Sequence, residues 1–338
     1  MQGFLLLGFY LASAIMAMAT TTHPSPVFGK THRTGTRLRL TSQPSASRLR
    51  PRFFLEMNTP NIRKKIISEL QAANISSTEI DAQILLEFVT GKSREFLLSH
   101  PEYELSGKEY KTLTICTDRR KSLEPIAYIT GHKEFYGLNF EVDKNVLIPR
   151  PETELLVEMS LDFLKARSNK PTVILDIGTG SGNIITSIAN THQTETIVAN
   201  QCRFFASDIS SKALKIARGN ADKHKVKIKF IQSDLFENIS EKFDLIVANL
   251  PYVPLDGSDD LEIKYEPQNA IFANDNGKEI IINFIQKSEK HLKNKGLILI
   301  ELDPRNAKSL AIFAAKLFAN VEIVNDYSNK LRFLKISN

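Results

Sequence analysis

The sequence predicts an α/β fold: a mostly parallel seven-stranded sheet ending in an antiparallel hairpin, preceded by a small helical domain. Three observations carry this. From Glu152 onward, helix-period and strand-like segments alternate, the pattern of a parallel sheet covered on both faces. Residues 60–122 hold helical-period stripes instead, as a small bundle does. Between them, residues 131–149 switch to a period of two around Gly137, which reads as a hairpin.

Residues 1–56 read as a leader outside the fold. Residues 4–18, FLLLGFYLASAIMAM, form an apolar run ending near Ala17-Met18-Ala19, an A-x-A-like cleavage site, and the run is short for a membrane span. Residues 20–55 are rich in Ser, Thr, Pro and Arg and free of acids, as transit peptides are. The pair implies delivery to an organelle matrix or stroma, in a plastid or mitochondrion, with no stable membrane association after leader removal. The alternative is a true start at Met57 and a cytoplasmic protein.

The net charge of +6 belongs to this leader. Residues 1–55 contain seven basic residues (Lys30, Arg33, Arg37, Arg39, Arg48, Arg50 and Arg52) and no acidic one, which leaves 37 basic against 38 acidic residues from Glu56 onward. A near-neutral body gives no support to nucleic-acid binding, which shows its charge in the folded domain. Cys116 and Cys202 stand far apart with no Cys/His cluster, so neither a disulfide framework nor a metal site is expected.

Residues 57–124 form the helical domain. SSTE (76–79) and SGKE (106–109) both have the spacing of a capping box. Ile62, Ile66, Ile67 and Leu70 recur at helical spacing, as do Ile80, Ile84, Leu85 and Phe88, and both stripes read as the core of the bundle. Residues 125–150 form the linker, with Phe135, Leu138, Phe140 and Val142 alternating. In residues 151–338, strands are predicted at 173–177, 203–207, 228–232, 243–248, 296–302, 321–325 and 331–336. Helices are predicted near 152–165, 182–190, 210–222, 277–292 and 304–318. The last two strands, joined by DYSN, make the hairpin. Ligands of such a sheet sit at the carboxyl ends of its strands.

Those ends carry the chemistry. VILDIGTGSGN (173–183) runs a strand into a turn where Gly178, Gly180 and Gly182 permit tight turning and close approach of a ligand. A dinucleotide fingerprint would need glycine where Asn183 stands. GxGxG preceded by Asp176 instead resembles the first motif of S-adenosylmethionine (SAM) methyltransferases. Asp208 ends the next strand, where a carboxylate can accept ribose hydroxyls. Asp234 ends the third, placed to accept from an adenine amino group, with Leu235 flanking the ring.

The fourth end, VANLPYVP (247–254), resembles the Asn-x-Pro-aromatic signature of methyltransferases acting on planar nitrogen. Such a nitrogen is a poor nucleophile because its lone pair is delocalised. Two acceptors, the Asn249 side-chain oxygen and the Leu250 carbonyl, can hold its two N–H bonds and aim the lone pair at a methyl group. Pro251 stiffens that carbonyl, and Tyr252 can lie against the flat substrate. Orientation of this kind contributes ~7 kcal/mol in favourable cases.

Taken with PIAYITGHKEFYG (125–137), VLIPRPETE (146–154), SDLF (233–236), YEP (265–267) and DYSNKLRF (326–333), these motifs resemble the release-factor glutamine methyltransferases, the HemK/PrmC family. The resemblance covers roughly residues 60–336. It implies a Rossmann-like SAM-dependent methyltransferase fold and a class I peptide chain release factor as protein substrate, methylated on the glutamine of its Gly-Gly-Gln motif and gripped in part by the helical domain. Carried over residue by residue, it assigns cofactor binding to Asp176, Gly178, Thr179, Gly180, Ser181, Gly182, Asp208, Asp234, Leu235 and Asn249. Substrate binding falls to Arg150, Asn249, Leu250, Pro251 and Tyr252, the last four forming the catalytic motif. The chain departs from the family at Leu250, where proline is usual, and at Leu235, where an aromatic is usual. Asn-Leu-Pro-Tyr also resembles the adenine dimethylases of ribosomal RNA, so an N6-adenine methyltransferase acting on RNA or DNA is the alternative; the neutral body and IPRPETE argue against it. A non-catalytic SAM-binding module is opposed by the intact Asn249, Pro251 and Tyr252.

Overall fold

A computed structural model describes residues 58–167, 170–194, 201–254 and 261–338. The leader and the Met57 start lie outside the described residues. Among the described residues no helix is long and apolar enough to cross a membrane.

Five helices come first: α1 (Thr59–Ala72), α2 (Thr78–Thr90), α3 (Arg94–Ser99), α4 (Gly107–Lys121) and α5 (Ile126–Thr130). The last lies beyond the helical boundary expected at 124. Asn58 caps α1 by accepting from the Asn61 N–H, and Ile62, Ile66 and Leu70 are buried against Leu85, Leu86, Leu97 and Leu113. SGKE forms its capping box: Ser106 Oγ accepts from the Glu109 N–H and Glu109 Oε2 accepts from the Ser106 N–H.

SSTE does not. The cap of α2 is Ser77, and its hydroxyl donates to Asp81 Oδ2 at 2.8 Å instead of closing the helix end. Asp81 is buried and ion-paired to Arg120, so the carboxylate takes the hydroxyl. The stripe on α2 is corrected with it. Ala82, Leu85 and Leu86 face inward beside Asp81, while Ile80 is 66% and Phe88 40% exposed. The Asp81–Arg120 ion pair lies on the inward face of this helix, while Ile80 and Phe88 lie on the outward one.

The hairpin is β1 (His132–Phe135) and β2 (Leu138–Glu141), joined by Tyr136-Gly137. Both turn residues have positive φ, as a two-residue hairpin turn requires. Phe135 and Phe140 are buried against Leu156 and Val157 of α6 (Glu154–Ala166). Asn220 of α8 (Ser211–Lys223) exchanges hydrogen bonds with the Glu141 backbone in both directions.

Seven strands then form one sheet: β3 (Thr172–Ile177), β4 (Cys202–Asp208), β5 (Ile228–Gln232), β6 (Phe243–Asn249), β9 (Leu292–Glu301), β10 (Asn320–Asn325) and β11 (Leu331–Ser337). Their order is β10-β11-β9-β6-β3-β4-β5. Pairing is parallel from β9 to β5 and antiparallel for β11 with both neighbours. On one face α6 and α7 (Asn183–Thr194) bury Leu161, Ile185 and Ile188. On the other, α10 (Glu279–Ser288) and α11 (Ala307–Ala314) bury Phe284, Ile285 and Leu310. Every residue of β3 is buried, as two covered faces demand. The strand order reverses beside β3, so the crevice opens at the ends of β3, β4 and β6.

Several bounds moved. The helix expected from 304 begins only at Ala307, because Asp303 Oδ1 accepts from the Arg305 N–H and holds 303–306 as a turn. A short parallel pair, β7 (Val253–Pro254) with β8 (Phe272–Ala273), was not legible. It is followed by α9 (Asn274–Gly277), where Asp275 and Asn276 depart from helical angles.

Candidate active site

The four predicted strand ends meet around one cavity of about 460 Å³, within the range of small-molecule sites. Its wall includes Gly178, Thr179, Gly180 and Ser181 after β3, Asp208 at the end of β4, Asp234 and Leu235 after β5, and Asn249, Leu250 and Pro251 at the end of β6. Arg150 and Thr153 enter from the segment before α6.

Gly178 has φ +71°, and a Cβ there would stand 2.8 Å from the Leu250 side chain. Any other residue would be strained by the positive φ and would require the Leu250 side chain to shift. A Cβ on Gly180 would meet nothing within 4 Å, so the backbone there is open to a ligand.

Asp176 and Gly182, expected to touch a cofactor, lie behind this wall. Asp176 is fully buried, and its Oδ2 accepts from the Thr179 hydroxyl at 2.7 Å, which ties the turn to its strand. Burial raises its pKa to about 7, with the Thr179 bond opposing and Asp208 adding to the rise. Gly182 packs on Ala217, 3.1 Å from where its Cβ would be.

Asp208 accepts from the Gly180 N–H at 2.9 Å through one oxygen and from the Ser210 N–H at 2.8 Å through the other. Each carboxylate oxygen keeps acceptor capacity, so the group holds the glycine turn and can still take hydroxyls from the cavity. Leu235 is buried at φ +48°, an unfavourable backbone for a branched side chain. Strain of this kind gathers where a side chain must be aimed at a ligand.

Asn249 ends β6 with its side-chain NH2 group donating to Thr153 Oγ1 at 3.0 Å. The Thr153 hydroxyl donates to Glu301 Oε2 at 2.7 Å, and Tyr252 donates to Glu301 Oε1 at 2.9 Å. Asn249 Oδ1 has no donor among the described residues and belongs to a residue on the cavity wall. Tyr252 is therefore placed differently from expectation. It is not on the cavity wall; it braces Glu301, and burial with Glu301 beside it keeps the phenol protonated by raising its pKa well above the usual value. Gly277 explains the packing: a Cβ there would stand 2.0 Å from the Tyr252 carbonyl oxygen.

Sequence reasoning missed Thr153, Glu301 and Glu266 as site residues. Glu266 is buried; its Oε1 accepts from Arg150 at 2.5 Å and its Oε2 from the Ile148 N–H at 2.9 Å. It straps the 146–150 segment over the cavity. The signal was present, since Thr153 lies in IPRPETE and Glu266 in YEP, but no spacing rule joins residues more than a hundred positions apart. Among the described residues, no cluster of His, Cys, Asp and Glu could hold a metal.

An open sheet with a glycine turn after β3, a carboxylate at the end of β4 and an asparagine at the end of β6, all on one cavity wall, is the arrangement of a SAM-dependent methyltransferase. A methyltransferase domain model matches residues 168–329, and the PrmC N-terminal domain matches residues 61–131. The release factor glutamine methyltransferase of Haemophilus influenzae is 36% identical over 288 residues, covering 82% of this chain and 97% of that protein. Its counterpart in Lactococcus lactis is 36% identical over 277 residues, 79% of this chain and 98% of that protein. The Coxiella burnetii protein of the same name is 39% identical over 234 residues, 68% of this chain and 81% of its own. The chain belongs to the release factor glutamine methyltransferase family, the one its motifs resemble.

Replacing Asp208 with alanine is expected to weaken SAM binding by about 1.5–3 kcal/mol, the value of a hydrogen bond to a charged acceptor. Isothermal titration checks it. A dissociation constant equal to that of the wild type would mean the carboxylate serves only the glycine turn.

Proposed function

We propose that this enzyme transfers a methyl group from SAM to the side-chain amide nitrogen, N5, of the glutamine in the Gly-Gly-Gln motif of a class I peptide chain release factor. The observation that carries the reading is the Asn249 amide, anchored through its NH2 group with its oxygen left for the cavity. When bound, the cofactor supplies a sulfonium methyl group open to nucleophilic attack. Asn249 Oδ1 and the Leu250 carbonyl accept the two N–H bonds of the substrate amide and turn its lone pair toward that methyl. The substitution of leucine for proline at 250 leaves this acceptor in the backbone. Asp208 takes the ribose hydroxyls, Asp234 the adenine amino group, and Leu235 and Ile209, both on the wall, supply apolar contact where the family has an aromatic. Arg150, held by Glu266, stands at the rim for the substrate backbone. No strong base is required, because the nitrogen becomes acidic as it is alkylated. Delivery to an organelle rests on residues 1–56 alone.

The test is mass spectrometry of a recombinant release factor incubated with enzyme and labelled SAM. Label is expected on the Gly-Gly-Gln glutamine, and an intact factor should be methylated faster than a short peptide carrying that motif. The whole factor adds remote binding energy that holds the amide in line. Equal turnover of both would remove the docking role of the helical domain. Label on RNA alone, with strong inhibition by salt, would establish the adenine reading instead.

A further inference from the structure

We propose that Thr153 and Glu301 are positioning residues that fix which end of the Asn249 amide faces the reacting nitrogen. The inference rests on the reading of Asn249 given above. When Glu301 is ionised its carboxylate can only accept, so the Thr153 hydroxyl spends its one proton on Glu301 Oε2, 2.7 Å away. Its oxygen is then left as an acceptor. The Asn249 group 3.0 Å from it must be the NH2 end, which assigns Oδ1 to the cavity by hydrogen-bond logic. Were the amide reversed, an N–H would face the N–H of the substrate, donor against donor.

The fold builds this relay from three distant segments. Glu301 is the residue opposite Asn249 in the β6–β9 ladder. Thr153 closes the short 3-10 turn Pro151–Thr153 ahead of α6. Tyr252 occupies the second oxygen of Glu301 and so keeps the carboxylate from rotating away. Thr153 and Glu301 are 2% and 1% exposed, so water does not compete for these bonds.

Protonation of Glu301 would undo the arrangement. A neutral carboxyl can donate to Thr153, whose hydroxyl is then free to donate to Asn249 Oδ1. Burial moves the Glu301 titration upward; the Thr153 and Tyr252 hydrogen bonds and Arg332 oppose that, and Glu152 adds to it. The competent form is the ionised one, so turnover falls as pH drops through this raised titration.

The experiment compares full-length wild type with Thr153→Val, Thr153→Ser and Glu301→Gln, using an intact release factor. Thr153→Val is expected to lower kcat about 10- to 100-fold, the cost of a misoriented reacting group, with little change in SAM affinity or melting temperature. Thr153→Ser keeps the hydroxyl and should recover most of the loss. Glu301→Gln should lower kcat and change the acid limb of the pH profile by removing the Glu301 titration, since an amide does not titrate, while the Asp176 titration remains. Wild-type kcat in Thr153→Val, or an acid limb in Glu301→Gln identical to that of the wild type, overturns the proposal. The side-chain amide resonances of Asn249 provide a readout that needs no substrate: they should shift in Thr153→Val, and unchanged resonances overturn the relay. A wild-type enzyme that methylates no release factor counts against the proposed substrate, while those resonances still decide the relay.

Discussion

Asn249→Ala is expected to lower turnover by roughly 10²–10³-fold or more, the range seen when one preorganised hydrogen-bonding group is removed beside a reacting centre. The side chain contributes through its oxygen, which holds an N–H of the substrate in the orientation that frees the nitrogen lone pair. Alanine would also release the Thr153 hydroxyl, which would keep its bond to Glu301 Oε2, so the surrounding fold has no reason to move. SAM binding should fall only modestly, because the glycine turn and Asp208 are on other strands. Turnover measured beside calorimetric SAM affinity separates the two effects. Near-normal turnover would remove Asn249 from its assigned role, and an equally large loss of SAM affinity would make it a cofactor ligand first.

What the sequence made legible were features that local spacing encodes. Strand ends at Asp208 and Asn249 follow from apolar runs stopped by polar residues, and both fall on the cavity wall. The hairpin at Tyr136-Gly137 follows from the change of period. The chain was least legible where distant residues decide a local outcome. The box expected of Ser76 and Glu79 is lost because the helix starts at Thr78, and its cap Ser77 donates to Asp81, which an arginine 39 positions further along holds. Ile80 and Phe88 obey helical spacing yet face outward, since the period gives a stripe without saying which stripe is chosen. Tyr252 has the residue type for stacking on a flat substrate, but Glu301 across the sheet claims its hydroxyl. The Asp176 position in its motif was clear, whereas its depth behind the turn depends on Thr179 and the packing of α7.

The second large effect concerns the junction between the helical domain and the catalytic segment. Arg120 is 3% exposed, and its guanidinium donates to Asp81 Oδ2 at 2.7 Å, to Glu262 Oε1 at 2.6 Å and to the Glu124 carbonyl at 3.2 Å. Arg120→Met would fill much of the same space while leaving Asp81 buried with the Ser77 hydroxyl as its remaining side-chain partner. Breaking a buried pair from one side costs about 3–5 kcal/mol, because the other charge stays uncompensated. The expected result is a clear fall in the midpoint of denaturant unfolding. Adding Asp81→Leu should restore part of it, since removing both charges ends the penalty that either single change leaves behind. The consequence extends to the cavity. Glu262 lies in the 3-10 turn Leu261–Tyr265, where the Tyr265 hydroxyl donates to the Ser122 carbonyl at 2.7 Å, and the turn runs on to Glu266, which braces Arg150 and Ile148. Loosening Arg120 therefore frees one end of the strap that closes the site, and KM for an intact protein substrate should rise together with the loss of stability. An unchanged unfolding midpoint in Arg120→Met would mean that water reaches Asp81 and that the pair does not hold the two regions together.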